Sequence, residues 1–423
     1  MDKKVSEILN GIKGEIKIPA DKSISHRAIM FSSLTKGKST IKNFSQGADP
    51  QSTLKIFEQL GVEFNFNNNL LEVFAKDGLE QPKTSLNCGN SGTTMRLMTG
   101  ILSGQNFNSA LIGDESLSNR PMKRVIEPLT LMGAKIESNE NKAPLKIFGQ
   151  DLTGITYSSP IASAQVKSAI LLAGLYANGT TKVIEPYLSR NHTELMLSYM
   201  GANIQTNQTS TIIQRSQLEP KTIEIPGDIS SAAYFIAAGL IIPNSKIILK
   251  NVGLNPTRTG IIDVVKSMGG NIEILDQQLI SNELVGDIEI KTSELQACEI
   301  SGELIPRLID EIPIIAVLAT QAKGTTIIKD AQDLRNKESD RIKAVVTELK
   351  KLGANIEETI DGIVINGKTP LIGGVEVATY HDHRLAMSLY VAGLICKKEI
   401  LIKEFDWVNI SFPEFELLFN STL

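Results

Sequence analysis

The chain is expected to be an α/β protein of two similar domains, each made of three repeated β-α-β-α-β-β modules. Three observations predict this. Apolar helical stretches with polar starts run into small-residue stops near Ser33, Gly100, Gly174, Gly239, Thr320 and Gly393. A glycine between a helix and a strand recurs in Leu60-Gly61-Val62, Met132-Gly133-Ala134, Met200-Gly201-Ala202, Met268-Gly269-Gly270 and Leu352-Gly353-Ala354, at spacings of 72, 68, 68 and 84. Finally, Ile18-Pro19-Ala20-Asp21-Lys22-Ser23 returns 207 residues later as Ile225-Pro226-Gly227-Asp228-Ile229-Ser230. Self-similarity at a long, near-regular period means one supersecondary unit copied and packed against its neighbours. Chemistry should lie where the copies differ.

The first module reads clearly. A polar start from Lys22 to Arg27 opens an apolar helix to Leu34, and Lys38 to Asn43 then alternates as a strand. Asp49-Pro50 is expected to cap the second helix, which ends at Leu60-Gly61 and passes into the strand Val62 to Phe66. The sixth module stops short, because after a helix starting near Pro413 the sequence ends at Leu423 without closing strands. Glu15-Ile16-Lys17-Ile18 has a strand pattern, so residues 1 to about 20 are expected to complete that module. This makes a continuous domain, 21–226, and a discontinuous one, 1–20 plus 227–423, joined by a double hinge that permits closure on a ligand.

With 423 residues, 42% of them hydrophobic, the chain can bury a large core. A formal charge of -4 supplies no overall positive field for nucleic acid or membrane binding. Cys88, Cys298 and Cys396 are far apart and lack C-x-x-C spacing, so they read as core thiols. No membrane-length apolar run and no signal-like start is visible, and a cytoplasmic monomer is expected.

Polar helix starts are the places to seek chemistry, since unpaired N–H groups and the helix dipole attract anions there. Asp21-Lys22-Ser23-Ile24-Ser25-His26-Arg27 packs two cations, two hydroxyls and a histidine around one start, although capping and a solvated charged face explain it as well. Asn87-Cys88-Gly89-Asn90-Ser91-Gly92-Thr93-Thr94-Met95-Arg96 is a glycine-rich turn that is neither a Walker A loop nor G-x-G-x-x-G. It is either a capping turn or a ligand loop. Ser118 to Arg124, Ser163-Ala164-Gln165-Val166-Lys167 and Ser189-Arg190-Asn191-His192 each put a cation beside hydroxyl or amide groups. Repeated arginine where the helix dipole disfavours it suggests an anion that offsets the repulsion.

Toward the C-terminus, Leu334-Arg335-Asn336-Lys337-Glu338-Ser339-Asp340-Arg341 is a dense charge run that a salt-bridged surface would also explain. Asp310-Glu311 and His381-Asp382-His383-Arg384 each precede an apolar helix. A His-x-His pair without a third ligand at local spacing is weak ground for a metal, and none is expected. Jointly, Lys22, Arg27, Arg120, Arg190, Lys337, Arg341 and Arg384 could surround a polyanion, with Asp310 and Glu338 left for proton transfer. That describes an interdomain cleft for phosphorylated, carboxylated small molecules.

These motifs, in this order, resemble the 5-enolpyruvylshikimate-3-phosphate synthase family. The resemblance spans the chain and rests on Lys22-Ser23-x-x-x-Arg27, Asn90-x-Gly92-Thr93, Arg120-Pro121-Met122, Ser163-Ala164-Gln165, Asp310-Glu311, Lys337-Glu338-Ser339-Asp340-Arg341 and Asp382-His383-Arg384. It implies the inside-out α/β barrel of the enolpyruvyl transferases and an addition–elimination reaction needing no cofactor or metal. It also implies that Lys22, Ser23, Arg27, Ser163, Ala164, Gln165, Arg190, Asp310 and Lys337 meet shikimate 3-phosphate. Lys22, Gly92, Arg120, Gln165, Arg341 and Arg384 would meet phosphoenolpyruvate, supported by Asn90, His383 and Asp333. Asp310, Glu338 and Lys22 would carry the catalysis.

Some positions depart from the family pattern. Ile410 stands before Ser411-Phe412-Pro413 where many members have lysine, Asp333 where many have asparagine, Leu97 where proline is frequent, and Ile184 where many have a ligand-touching serine. Arg190 looks like the alternative phosphate ligand of another branch. Gly92 is retained, so glyphosate inhibition is expected. The sister transferase acting on UDP-N-acetylglucosamine usually has a loop cysteine near its arginine, and Gly113 to Arg120 has none.

Overall fold

The computed structural model describes residues 1–67 and 70–423, and the chain divides into two compact units. One comprises Met1–Pro19, Pro226–Leu279 and Leu284–Leu423. The other comprises Ala20–Ile225 and the short turn Ile280–Glu283. Each has its own hydrophobic core.

In the 20–225 unit the inner helices are α1 (Lys22–Ser33), α2 (Gly92–Ser103) and α3 (Ala164–Gly174). In the 226–423 unit they are α4 (Ile229–Ile241), α5 (Ile312–Gln321) and α6 (His383–Gly393). All six are buried along most of their length, and the burial takes in polar side chains such as Ser25, His26, Arg27 and Lys167 as well as the apolar ones. Outer helices such as Ala48–Gln59 and Arg341–Lys351 instead alternate a buried and an exposed side. The five helix-ending glycines, Gly61, Gly133, Gly201, Gly269 and Gly353, have φ of 87, 99, 86, 75 and 102°. This left-handed conformation closes a helix and turns the chain into the next strand, and it is nearly free of strain only for glycine.

Gly100 has a different job from the stop the sequence suggests. Helix α2 continues to Ser103, and a Cβ at Gly100 would stand 2.1 Å from the Ala169 carbonyl oxygen. The glycine lets α2 and α3 approach backbone to backbone. Asp49 also departs from expectation: Gly47 is the N-cap, so the carboxylate falls inside the first turn and meets Lys22 instead.

Each module owns one small sheet. In the first, Gly37–Lys42 lies between Thr222–Glu224, which is parallel to it, and Leu70–Ala75, which is antiparallel and pairs outward with Glu63–Asn67. The N-terminal segment serves two modules, not one. Lys3–Val5 pairs antiparallel with Ile400–Lys403 and so closes the sixth module. Lys13–Lys17, covering most of the strand assigned to that module from sequence, pairs parallel with Lys246–Lys250 in the fourth. An aromatic cluster seals the sixth module, with Phe235 stacked on Phe419 at 4.2 Å. Cys88 and Cys396 are buried free thiols and Cys298 is half-buried.

Candidate active site

In the 20–225 unit, the polar residues singled out from sequence sit at the N-termini of the three inner helices or next to them. Asp21 caps α1 by accepting from the Ile24 amide at 2.8 Å. Lys22, one residue on, directs Nζ to Asp49 Oδ2 at 3.1 Å. One turn further, Arg27 is buried and oriented by three acceptors: Nη1 donates to the Ser23 carbonyl (3.0 Å), Nε to Thr193 Oγ1 (2.7 Å) and Nη2 to Ser168 Oγ (2.9 Å). Burial pushes its guanidinium pKa down to about 10, against the pull of Glu194 and Asp21 and with the push of nearby Arg190. Two arginines near each other in a buried setting suit a multiply charged anion.

The glycine-rich turn opens α2. Ser91 Oγ accepts from the Thr94 amide at 3.1 Å, and Gly92 is the first helical residue. A Cβ at Gly92 would lie 2.8 Å from Arg96 Nη1 and 3.5 Å from Arg120 Nη1, so the glycine leaves space beside two guanidinium groups. Arg120 Nη2 donates to Asn90 Oδ1 at 2.8 Å, and Asn90 Nδ2 to Asp114 Oδ2 at 2.7 Å. Asn90 therefore orients an arginine. Ser163 is the N-cap of α3, but its side chain makes no capping hydrogen bond, and Ala164 opens the helix. Gln165 accepts from Arg96 Nη1 at 2.6 Å and donates to Thr93 Oγ1 at 3.0 Å. Arg190 is half-buried in the loop before the helix His192–Tyr199. Lys167, expected at a ligand-facing start, is instead buried against Glu185 and Glu194.

In the 226–423 unit, Arg341 gathers three carboxylates. Its Nε meets Asp382 Oδ2 at 2.7 Å, Nη2 meets Glu338 Oε2 at 2.6 Å, and Nη1 meets Asp310 Oδ1 at 3.3 Å. Burial opposes the charge of Arg341, yet Asp382, Glu338 and Asp310 outweigh it and raise the pKa. Lys337 Nζ also reaches Asp310 Oδ1 at 3.3 Å. Arg384 follows the same logic, with burial overcome by Asp310, and its Nη1 donates to the Asp310 carbonyl at 3.4 Å. Asp382 both caps α6, through the Arg384 amide at 2.9 Å, and takes Ser339 Oγ at 3.0 Å. Its pKa is lowered because Arg341 and His383 overcome the burial that would raise it. His383 is buried and Asp333 half-buried, the latter in the turn Gln332–Asn336. Ile410 ends the turn Phe405–Ile410.

Sequence reasoning left several partners unassigned: Asp49 beneath Lys22, Arg96 beneath Gln165, and Asp382 beneath Arg341. Arg96 and Asp382 stood inside the quoted motifs and could have been found as charges one turn from a ligand position. Asp49 was read from sequence only as a helix cap, and its contact with Lys22, 27 residues away, comes from packing. Among the described residues no group of three or more His, Cys, Asp or Glu side chains is placed to hold a metal, and no helix is long and apolar enough to cross a membrane.

The fold is that of the enolpyruvyl transferases. A solved enolpyruvyl transferase from Streptomyces tendae matches 99% of this chain and 96% of its own at a TM-score of 0.81, with 15% identity, a likeness of fold alone. Residues 7–418 match the family model described as EPSP synthase (3-phosphoshikimate 1-carboxyvinyltransferase), and the chain belongs to that family. It is 54% identical to the 3-phosphoshikimate 1-carboxyvinyltransferase of Bacillus licheniformis over 412 residues, 96% of either chain. To that of Bacillus subtilis it is likewise 54% identical, over 409 residues and 96% of each. A solved EPSP synthase from Acinetobacter baumannii superposes at a TM-score of 0.90 with 40% identity, covering all of this chain and 98% of that one.

Proposed function

We propose a division of labour among these side chains for the reaction of the family. The chain transfers the enolpyruvyl group of phosphoenolpyruvate to the 5-hydroxyl of shikimate 3-phosphate and releases phosphate, a step of the shikimate pathway. Ser23, Arg27, Ser163, Ala164, Gln165, Arg190 and Lys337 bind shikimate 3-phosphate. Gly92, Arg120, Arg341 and Arg384 hold phosphoenolpyruvate, while Lys22 and Gln165 touch both substrates.

Glu338 protonates the methylene carbon of phosphoenolpyruvate, which makes its C2 electrophilic. Asp310 accepts the proton of the 5-hydroxyl as that oxygen attacks C2, and a new C–O bond closes the tetrahedral adduct. Glu338, now a carboxylate, takes back a methyl proton as the C2–O bond to phosphate breaks, the leaving phosphate receives the proton held by Asp310, and the double bond is regenerated. Lys22 stabilises charge at the phosphate and near the hydroxyl, and the arginines offset two phosphates and two carboxylates. The observation that carries this reading is the placement of Asp310 and Glu338 on one guanidinium, that of Arg341, at 3.3 and 2.6 Å. Arg341 thus orients both carboxylates through one cation, the one read as proton acceptor and the one read as donor. We propose further that the protein works as a cytoplasmic monomer and that glyphosate competes with phosphoenolpyruvate.

The test is Asp310→Asn. Turnover should fall by about a hundredfold or more, while titration calorimetry still registers shikimate 3-phosphate binding. Near-normal turnover would remove Asp310 from the chemistry.

A further inference from the structure

The loop 185–191 has no helical or strand structure of its own, yet it carries Arg190. Directly beneath it lies a buried charge cluster that no substrate needs to touch. Lys167 on α3 exposes only 2% of its side chain, and its Nζ stands 2.7 Å from both Glu185 Oε2 and Glu194 Oε1, themselves 2% and 4% exposed. Glu185 begins the loop and Glu194 lies in the first turn of the helix that follows it. The ammonium therefore ties one end of the loop to the other. At the far end, His192 Nδ1 lies 2.6 Å from Glu283 Oε1.

The cluster also grips the peptide next to Arg190. Lys167 Nζ donates to the Ser189 carbonyl at 3.3 Å, and the Ser189 amide donates to Glu185 Oε2 at 3.5 Å. The Ser189 carbonyl and the Arg190 amide belong to one planar peptide, so holding the oxygen sets where the Arg190 backbone begins. The residue adjoining the cluster on each helix serves Arg27: Ser168, after Lys167, and Thr193, before Glu194, bond to each other at 2.6 Å and each takes one guanidinium N–H of Arg27. One lysine and two glutamates carry a formal charge of -1 among themselves, which offsets the repulsion between Arg27 and Arg190. Burying three charges is a poor way to gain stability, because desolvation opposes it, and this favours a role in geometry.

We infer that Lys167, Glu185 and Glu194 form a positioning cluster that sets Arg190 for the phosphate of shikimate 3-phosphate. This rests on the reading of Arg190 as a phosphate ligand. It predicts an effect confined to one substrate, since the cluster touches the loop and not the groups assigned to phosphoenolpyruvate.

The experiment measures kcat, both KM values and the melting temperature for Glu185→Gln, Lys167→Met, Arg190→Ala and the double variant Glu185→Gln/Arg190→Ala. Glu185→Gln keeps shape and leaves the Lys167–Glu194 pair, so it decides the matter if Lys167→Met does not fold. For Glu185→Gln the expected result is a rise of about tenfold in KM for shikimate 3-phosphate, with KM for phosphoenolpyruvate and kcat within about twofold. In the Arg190→Ala background the same substitution should add nothing, because its effect passes through Arg190. An unchanged KM for shikimate 3-phosphate in Glu185→Gln, or an equal rise for both substrates, overturns the inference. If Arg190→Ala alone leaves that KM unchanged, the parent reading of Arg190 fails and takes the inference with it. If Arg190→Ala raises KM and Glu185→Gln does not, only the positioning role is lost.

Discussion

Arg341 and Asp382 form a buried ion pair, Nε to Oδ2 at 2.7 Å, in which both side chains are almost wholly shielded from water. The same guanidinium reaches Asp382 Oδ1 through Nη2 at 3.3 Å, and that nitrogen also serves Glu338 while Nη1 serves Asp310. Asp382 is thus the most deeply buried of the three carboxylates on Arg341, and Glu338 and Asp310 are the two proposed to move protons. The pair links the start of the outer helix Arg341–Lys351 to the cap of α6, so the catalytic geometry and the packing of two helices depend on one contact.

Removing the Asp382 charge should be costly. Asp382→Asn leaves the buried Arg341 charge without its main counter-charge, and breaking such a pair destabilises by roughly 3–5 kcal/mol. Urea unfolding should register that loss, and KM for phosphoenolpyruvate should rise. Wild-type stability in Asp382→Asn would show that Arg341 is held by other means.

Glu338 tests the protonation of the methylene carbon. Glu338→Gln should retain binding of both substrates and lose about a hundredfold or more in turnover. Turnover within tenfold of the unaltered protein would assign methylene protonation to another group.

Gly92 sets the space beside two arginines. A methyl there would stand 2.8 Å from Arg96 Nη1 and 3.5 Å from Arg120 Nη1, so Gly92→Ala must displace one guanidinium or fill the pocket. The unaltered protein should be inhibited by glyphosate in competition with phosphoenolpyruvate. Gly92→Ala should raise KM for phosphoenolpyruvate severalfold and weaken that inhibition. Strong activity of the unaltered protein at high glyphosate, with normal phosphoenolpyruvate saturation, contradicts the assignment.

His26 should make folding stability depend on pH. Burial lowers its pKa from the ordinary 6.5 to about 3, with Nδ1 fixed on Thr53 Oγ1 at 2.7 Å. Below 6.5 the unfolded chain takes up a proton that the folded one refuses. The contribution is therefore whole above 6.5 and declines as the pH falls toward 3, by about 1.4 kcal/mol per pH unit. Urea titrations of the unaltered protein and His26→Gln between pH 6 and pH 4 should differ in slope by about that amount. Parallel slopes would mean that His26 takes up its proton in the folded protein.

Much of the architecture was legible because it rests on local rules. Gly61, Gly133, Gly201, Gly269 and Gly353 mark helix ends through backbone conformation, which belongs to the residue itself. Gly100 looked the same in sequence, but its role depends on the backbone of Ala169, 69 positions away, and no local pattern encodes that. The site divides similarly. Residues at helix starts, such as Arg27, Gly92, Arg341 and Arg384, announce themselves by putting charge or flexibility where a plain cap would do. Their supports are visible as charges, but the partners of Asp49, Asp382 and Lys167 are set by packing. The strand Lys13–Lys17 was visible as a strand, while its pairing with the fourth module was not, since strand pattern does not name a neighbour.

The central claim is the identity of the acceptor that Arg27, Arg190 and Lys337 are set to bind. Phosphate release from phosphoenolpyruvate should be followed with shikimate 3-phosphate and, separately, with UDP-N-acetylglucosamine. The account predicts turnover with shikimate 3-phosphate and none with the sugar nucleotide. Turnover supported only by UDP-N-acetylglucosamine would contradict it.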